Sequence, residues 1–274
     1  MRPKPRIKEI VLICSLVANV FVGGLLFLKH QDPESVAVAS LSGKIAPSEQ
    51  ELSQLNSTPY AAEWKIYGAE ASRPAKRILF VGNSISLHAV LKEIGWTHVS
   101  GMAASSDGKD YVHVLVRLLS ADSNLPIEYA VINIADFERA YDVFDYHRLD
   151  DVARHAPDIV IFQIGENVPN SKVTEGFENA YVFLVTKIKA KSTVICLPLW
   201  STREKNRVIT DVALKTNGYL VDLSHLRSGV EPLNAARAER KFSNPGVAGH
   251  PGDFGMENIA KSLFTVTRHL VAPK

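Results

Sequence analysis

The sequence predicts an α/β domain built on a parallel sheet, carried behind a single apolar N-terminal helix. Three observations predict it. From Lys76 onward, strand-like apolar runs alternate with helix-like segments, the pattern of crossover units that lay parallel strands side by side. The first run, Ile78-Leu79-Phe80-Val81, stops abruptly at Gly82-Asn83-Ser84, as a strand buried on both faces does where it turns at the edge of the sheet. Far upstream, Ile10 through Leu28 form an almost wholly apolar run of about 19 residues, close to the roughly 20 that a spanning helix needs.

The elements follow in order. Arg2, Lys4, Arg6 and Lys8 precede the apolar run, which favours a cytoplasmic N-terminus and sends the rest of the chain across the membrane to the periplasmic side. A cleavable signal peptide is the rival reading, but its candidate site, Ala37-Val38-Ala39, lies well beyond the run. Residues 1–30 therefore read as the anchor, 31–75 as a juxtamembrane linker and 76–274 as the domain. The linker is rich in Ser, Pro, Gln and Glu, with Trp64, Ile66 and Tyr67 able to lie as a strap on the domain surface. Strands are predicted at Ile78–Gly82, His98–Met102, Tyr129–Ile134, Ile159–Ile164, Thr193–Leu199 and Tyr219–Val221. Helices are predicted at Ser86–Ile94, Lys109–Leu119, Arg148–Arg154, Gly176–Ala190, Glu204–Lys215 and Gly255–Leu270. In the last, Met256, Ile259, Ala260, Leu263 and Phe264 recur at helical spacing and mark a core-packing face. The stretch from Asn124 to Tyr146 adds an edge strand and a loop leaning toward the sheet's carboxyl end.

Composition narrows the function. The 274 residues are 46% hydrophobic and 22% charged, enough for one good-sized core. Net charge is +2, but residues 1–29 hold five basic side chains and one acid, leaving 26 basic against 28 acidic residues downstream. A near-neutral domain lacks the basic footprint that nucleic acid requires. Cys14 lies in the apolar run and Cys196 inside a predicted strand, so neither a disulfide nor a cysteine zinc site is indicated.

Chemistry-bearing residues gather at predicted strand ends. Ser84 follows a strand directly, where reactive side chains of open α/β sheets collect, and is the candidate nucleophile. Because residue 86 is Ser, the segment is not the Gly-x-Ser-x-Gly elbow. Gly165-Glu166-Asn167 also follows a strand, and an asparagine there can aim its amide at a developing oxyanion. His250 precedes Pro251 and Gly252 just before the final helix and is the candidate base. His88 reads as structural, Trp200 as a pocket wall or a packing residue, and Arg203-Glu204-Lys205 as a solvated face.

These segments resemble the blocks of the SGNH hydrolases, also called GDSL-like lipases or acylhydrolases, over about residues 76–272. Gly82-Asn83-Ser84 is similar to the Gly-Asp-Ser block, with Asn83 in place of aspartate. Ser100-Gly101-Met102 resembles the second block and Gly165-Glu166-Asn167 the third. Gly249-His250-Pro251 resembles the fifth, Asp-x-x-His-Pro. The resemblance implies a three-layer α/β/α, flavodoxin-like domain. It also implies a serine esterase in which Ser84 attacks, His250 moves the proton, and the Ser84 amide, Gly101 and Asn167 form the oxyanion hole; joined to the apolar N-terminal run, the expectation is a membrane-tethered, extracytoplasmic enzyme. No metal or organic cofactor is implied, and the substrate is an acylated small molecule, glycan or lipid. Alternatives are O-acyl transfer on an envelope polysaccharide and a catalytically weakened glycan- or lipid-binding domain. The chain departs from the family at residue 247, where Val replaces the acid that orients the histidine. A backbone carbonyl, a water, Asp253 or Asp222 could take its place, with Asp253 better read as a cap for the last helix.

Overall fold

The computed structural model describes residues 63–68, 74–227 and 242–271. The predicted anchor and most of the linker lie outside them. Among the described residues no helix is long and apolar enough to cross a membrane.

Among the described residues, six strands form one sheet: β1 (Lys65–Tyr67), β2 (Lys76–Gly82), β3 (Ile127–Asn133), β4 (Ile159–Gln163), β5 (Ser192–Leu197) and β6 (Tyr219–Asp222). Their order is β1-β3-β2-β4-β5-β6. β1 pairs antiparallel to β3, and every other pairing is parallel. Seven helices of the α type are described: α1 (Tyr111–Ser123), α2 (Ala135–Ala140), α3 (Asp150–Arg154), α4 (Glu178–Lys187), α5 (Arg203–Lys215), α6 (Pro245–Ala248) and α7 (Asp253–Val271).

Alternation along β2 explains why both faces are covered. Ile78 and Phe80 point to one side, among Leu115 and Leu119 of α1 and Ile259 and Leu263 of α7. Leu79 and Val81 point to the other, among Phe137 of α2, Tyr181 of α4 and Ile209 of α5. A strand with period-2 side chains and no polar face must be sandwiched in this way. Burying each large aliphatic or aromatic side chain contributes about 1.5–3 kcal/mol.

The two windings part between β2 and β4. The crossover from β2 to β3 carries α1 on one face, while the crossover from β3 to β4 carries α2 and α3. Ligands of open parallel sheets bind beyond the strand ends at such a switch point. Gly82 pairs with Gln163 of β4, so the turns after these two strands stand side by side. Gly82 is required for the close approach: a Cβ there would lie 1.8 Å from Ser86 Oγ.

The predicted elements differ in several places. The segment predicted as the helix Ser86–Ile94 holds only a short 3₁₀ turn, Lys92–Ile94, because His88 N and Leu91 N bond to the carbonyls of Ser100 and Trp96 instead of to the preceding turn. The predicted strand His98–Met102 makes one isolated bridge, and its backbone bends through Ala103 at φ 72°. β5 stops at Leu197 rather than Leu199, ahead of Pro198, which has no N–H to offer a ladder. Ile127–Asn133 is an interior strand rather than an edge. The edge is β1, inside the predicted linker, with Trp64 stacked on His155 at 3.9 Å.

Candidate active site

Ser84 stands at the crest of a tight turn. Asn83 builds that turn: its carbonyl accepts Ser86 N and Leu87 N, both at 3.0 Å, and its side-chain oxygen accepts Ile85 N at 3.0 Å. Three N–H groups that would otherwise be orphaned are thereby paired. Ile85 and Leu87 are buried on either side of the core-facing Ser86, which leaves Ser84 on the open side.

His250 reaches Ser84 from a separate segment. Asn244 caps α6, its side-chain oxygen accepting Gly246 N at 2.9 Å and Val247 N at 3.2 Å. The chain leaves that single turn with His250 N on the Val247 carbonyl at 3.0 Å. The imidazole then spans two partners: Nε2 lies 2.7 Å from Ser84 Oγ, and Nδ1 lies 2.7 Å from the Gly246 carbonyl oxygen. A carbonyl can only accept, so Nδ1 carries the proton and Nε2 presents its lone pair to the serine hydroxyl. Burial lowers the His250 pKa; the Gly246 hydrogen bond opposes this, and His88 nearby adds to the lowering. The ring is therefore neutral near pH 7, as a base must be.

Val247 brings its backbone, and no acid, to the imidazole. It is 0% exposed and packs with Trp96, Met102 and Ala103. The other acids considered are also engaged elsewhere. Asp253 accepts Ser105 N and Oγ at 2.7 and 2.6 Å, tying the 100–108 loop to α7, and Asp222 accepts Ser224 N and Oγ.

Asn167 lies across the switch point. Gly165, at φ 128°, opens the turn after β4 and sits so tightly that a Cβ would lie 2.6 Å from Pro198. The Asn167 amide nitrogen donates to Glu138 Oε2 at 2.6 Å. Gly101 departs from the predicted role: its N–H donates to the buried Asp110 carboxylate at 3.2 Å. Met102 N donates to the Ser84 carbonyl at 2.8 Å, so this loop still borders the nucleophile.

Sequence reasoning missed a buried polar cluster behind the nucleophile. Asn83 Nδ2 donates to two carboxylates, Glu138 Oε1 at 3.3 Å and Glu166 Oε2 at 2.9 Å. Glu166 Oε1 accepts Gln163 Nε2 at 2.8 Å and Leu199 N at 3.1 Å. Ser86 Oγ donates to Gln163 Oε1 at 3.2 Å and meets the Tyr111 hydroxyl at 2.7 Å. Burial first, and then the Glu138 charge, push Glu166 up to about 7. Burial raises Glu138 as well, against its hydrogen bonds to Asn167 and Gly165. Lys205 corrects the solvated-face reading: it is 3% exposed, and its ammonium donates to the Val168 carbonyl at 3.0 Å. His88 Nδ1 lies 2.7 Å from its neighbour's carbonyl, and its charge bears on His250. Trp200 packs partly buried against the α1–α7 core.

No family model matches the sequence, and no curated protein matches it. Similar solved structures include the acetyl xylan esterase AlAXEase, at 19% identity and a TM-score of 0.42 over 69% of this chain and 98% of that one. A family two carbohydrate esterase from Cellvibrio japonicus is 13% identical, with a TM-score of 0.45 over 72% of this chain and 62% of the other. A putative GDSL-like lipase from Bacteroides ovatus is 12% identical, with a TM-score of 0.42 over 72% of this chain and all of that one.

Proposed function

We propose that the chain is an SGNH-type serine hydrolase that cleaves carboxylic esters through an acyl-enzyme. One observation carries the reading: Ser84 Oγ sits 2.7 Å from a His250 nitrogen whose tautomer the Gly246 carbonyl fixes. Ser84 attacks the ester carbonyl carbon while its proton passes to His250 Nε2. That proton then goes to the departing alcohol, and water, deprotonated by the same nitrogen, releases the acyl group. The Ser84 N–H and the second N–H of the Asn167 amide are the oxyanion donors, since Gly101 N is committed to Asp110. We place the domain outside the cytoplasm, tethered by residues 10–28, on the strength of that apolar run and the basic residues before it.

The test uses the detergent-solubilised full chain, a fluorophosphonate probe and p-nitrophenyl acetate. Wild type is expected to label at Ser84 and turn over, and Ser84→Ala and His250→Ala to lose about 10⁴-fold or more in kcat. A folded wild type that neither labels nor turns over would refute the hydrolase reading and leave glycan or lipid binding as the alternative.

A further inference from the structure

We propose that Glu138 is a positioning residue of this site: it fixes which way the Asn167 amide faces, and Asn83 is the neutral bridge that lets it do so beside Glu166. The inference rests on the hydrolase reading, in which that amide holds the oxyanion.

Glu138 is 0% exposed on the short helix α2, yet its carboxylate takes donors from both walls of the switch point. Asn83 Nδ2 comes from the turn after β2, at 3.3 Å. From the turn after β4 come Gly165 N, Asn167 N at 3.2 Å and Asn167 Nδ2 at 2.6 Å. All four partners donate, so the group is held as an acceptor on both oxygens.

An asparagine amide has two nearly isosteric orientations, and a carboxylate tolerates only one of them. With Oε2 of Glu138 against it, the NH₂ end must face the carboxylate. One N–H is used there and the other is left for the reacting centre. In the flipped orientation a carbonyl oxygen would stand where the donor should be, and it would repel a developing oxyanion. The acid therefore selects the functional rotamer without touching substrate.

Asn83 completes the device. Its NH₂ group offers one N–H to each of two carboxylates that would otherwise confront each other unbridged. The Gly-Asp-Ser sequence of the resembling family, set in this environment, would bring a third carboxylate into that contact. Asn83 and Glu138 thus belong together. Glu166, Lys205, Tyr181, Tyr111 and Cys196 are the other titratable groups whose charges bear on this cluster.

Glu138→Gln is the informative change. Its single oxygen can serve the three donors now on Oε1, but its NH₂ then faces Asn167 and turns that amide over. For p-nitrophenyl acetate hydrolysis by the solubilised full chain, Glu138→Gln is expected to lower kcat about 100-fold, the effect of losing one oxyanion donor, with KM within about twofold. In an Asn167→Ala background the same change is expected to cost no more than about twofold further, because its route of action is gone. Wild-type kcat in Glu138→Gln, or losses that multiply in the double variant, would overturn the proposal. If Glu138→Gln does not fold, Asn83→Asp carries the test. It is expected to lose about tenfold or more in kcat at pH 7.5 with KM retained, and wild-type kcat in folded Asn83→Asp is the overturning result. An unlabelled, inactive wild type would instead sink the hydrolase reading itself.

Discussion

The two walls of this site handle charge in opposite ways. On the His250 side, where a carboxylate would ordinarily orient the base, there are the backbone groups of Gly246 and Val247 and no acid, and the Val247 side chain packs with Trp96, Met102 and Ala103. On the Asn167 side, two carboxylates, Glu138 and Glu166, are packed around Asn83. The first wall keeps the tautomer of the imidazole but adds no charge to stabilise an imidazolium. The second spends buried charge on orientation. Orienting a catalytic group thus needs an acceptor in the right place, and whether that acceptor is charged depends on what else surrounds it.

Converting Val247 to Asp is the harshest way to break the contrast, since by sequence alone it restores the missing acid. At a position that is 0% exposed, the new carboxylate enters the apolar pocket of Trp96, Met102 and Ala103. Val247→Asp is expected to lose about 3 kcal/mol of stability, the scale of burying an uncompensated polar group, without any gain in kcat. Thermal melting and the pH–rate profile check it together. The acid limb of kcat/KM is expected below the ordinary histidine value in wild type, because burial lowers the His250 pKa. A Val247→Asp enzyme that melts like wild type, with that limb moved upward, would show the acid reaching Nδ1 after all.

Much of this was legible in the sequence where the signal is local. β2 and β4 each carry a continuous apolar run, Ile78–Val81 and Ile159–Phe162, and are followed by Gly-x-Ser and Gly-x-Asn, so both the strands and the residues at their ends follow from short patterns. The Ser86–Ile94 and His98–Met102 segments were not legible, because their backbone groups pair across twelve residues, His88 N to the Ser100 carbonyl, rather than along one element. Glu138 gave no sign: in a six-residue helix an acid beside Asp136 and Arg139 reads as surface. Lys205 was legible in principle. It shares the helical stripe of Val208, Ile209 and Val212, all buried in α5, and that periodicity outranks the charge of the Arg203-Glu204-Lys205 run.

The second wall can be sharpened by titration, with a smaller effect. Glu166 takes up its proton near pH 7 when folded, well above the ordinary glutamate value. Between those two values the folded chain holds a proton that the unfolded chain has released, so the group's contribution to stability falls as pH rises across that window. Above about 7 the cluster gains a second negative charge beside Asn83 and Glu138, offset in part by Lys205. A several-fold decline in kcat above neutrality is expected in wild type, because that charge opposes the oxyanion. Glu166→Gln is expected to flatten both the stability slope and the alkaline decline. If Glu166→Gln keeps the wild-type pH dependence of Tm and kcat, Glu166 titrates elsewhere and the two walls handle charge alike.

The smallest effect concerns Cys196, which faces the α1–α7 core one strand away from the cluster. It is fully buried, and burial, with the Glu166 charge behind it, drives its thiol far above the ordinary range. A thiol so placed is neither deprotonated nor reachable, and thiolate formation is what alkylating reagents require. Iodoacetamide applied to the folded chain at pH 8 is expected to leave Cys196 unmodified and turnover unchanged, while the denatured chain reacts at that residue. Peptide mass analysis distinguishes the two. Modification of native Cys196 at a rate close to the denatured rate would mean that β5 opens to solvent. The Glu166 wall beside it, and the raised proton affinity assigned to it, would then have to be reconsidered.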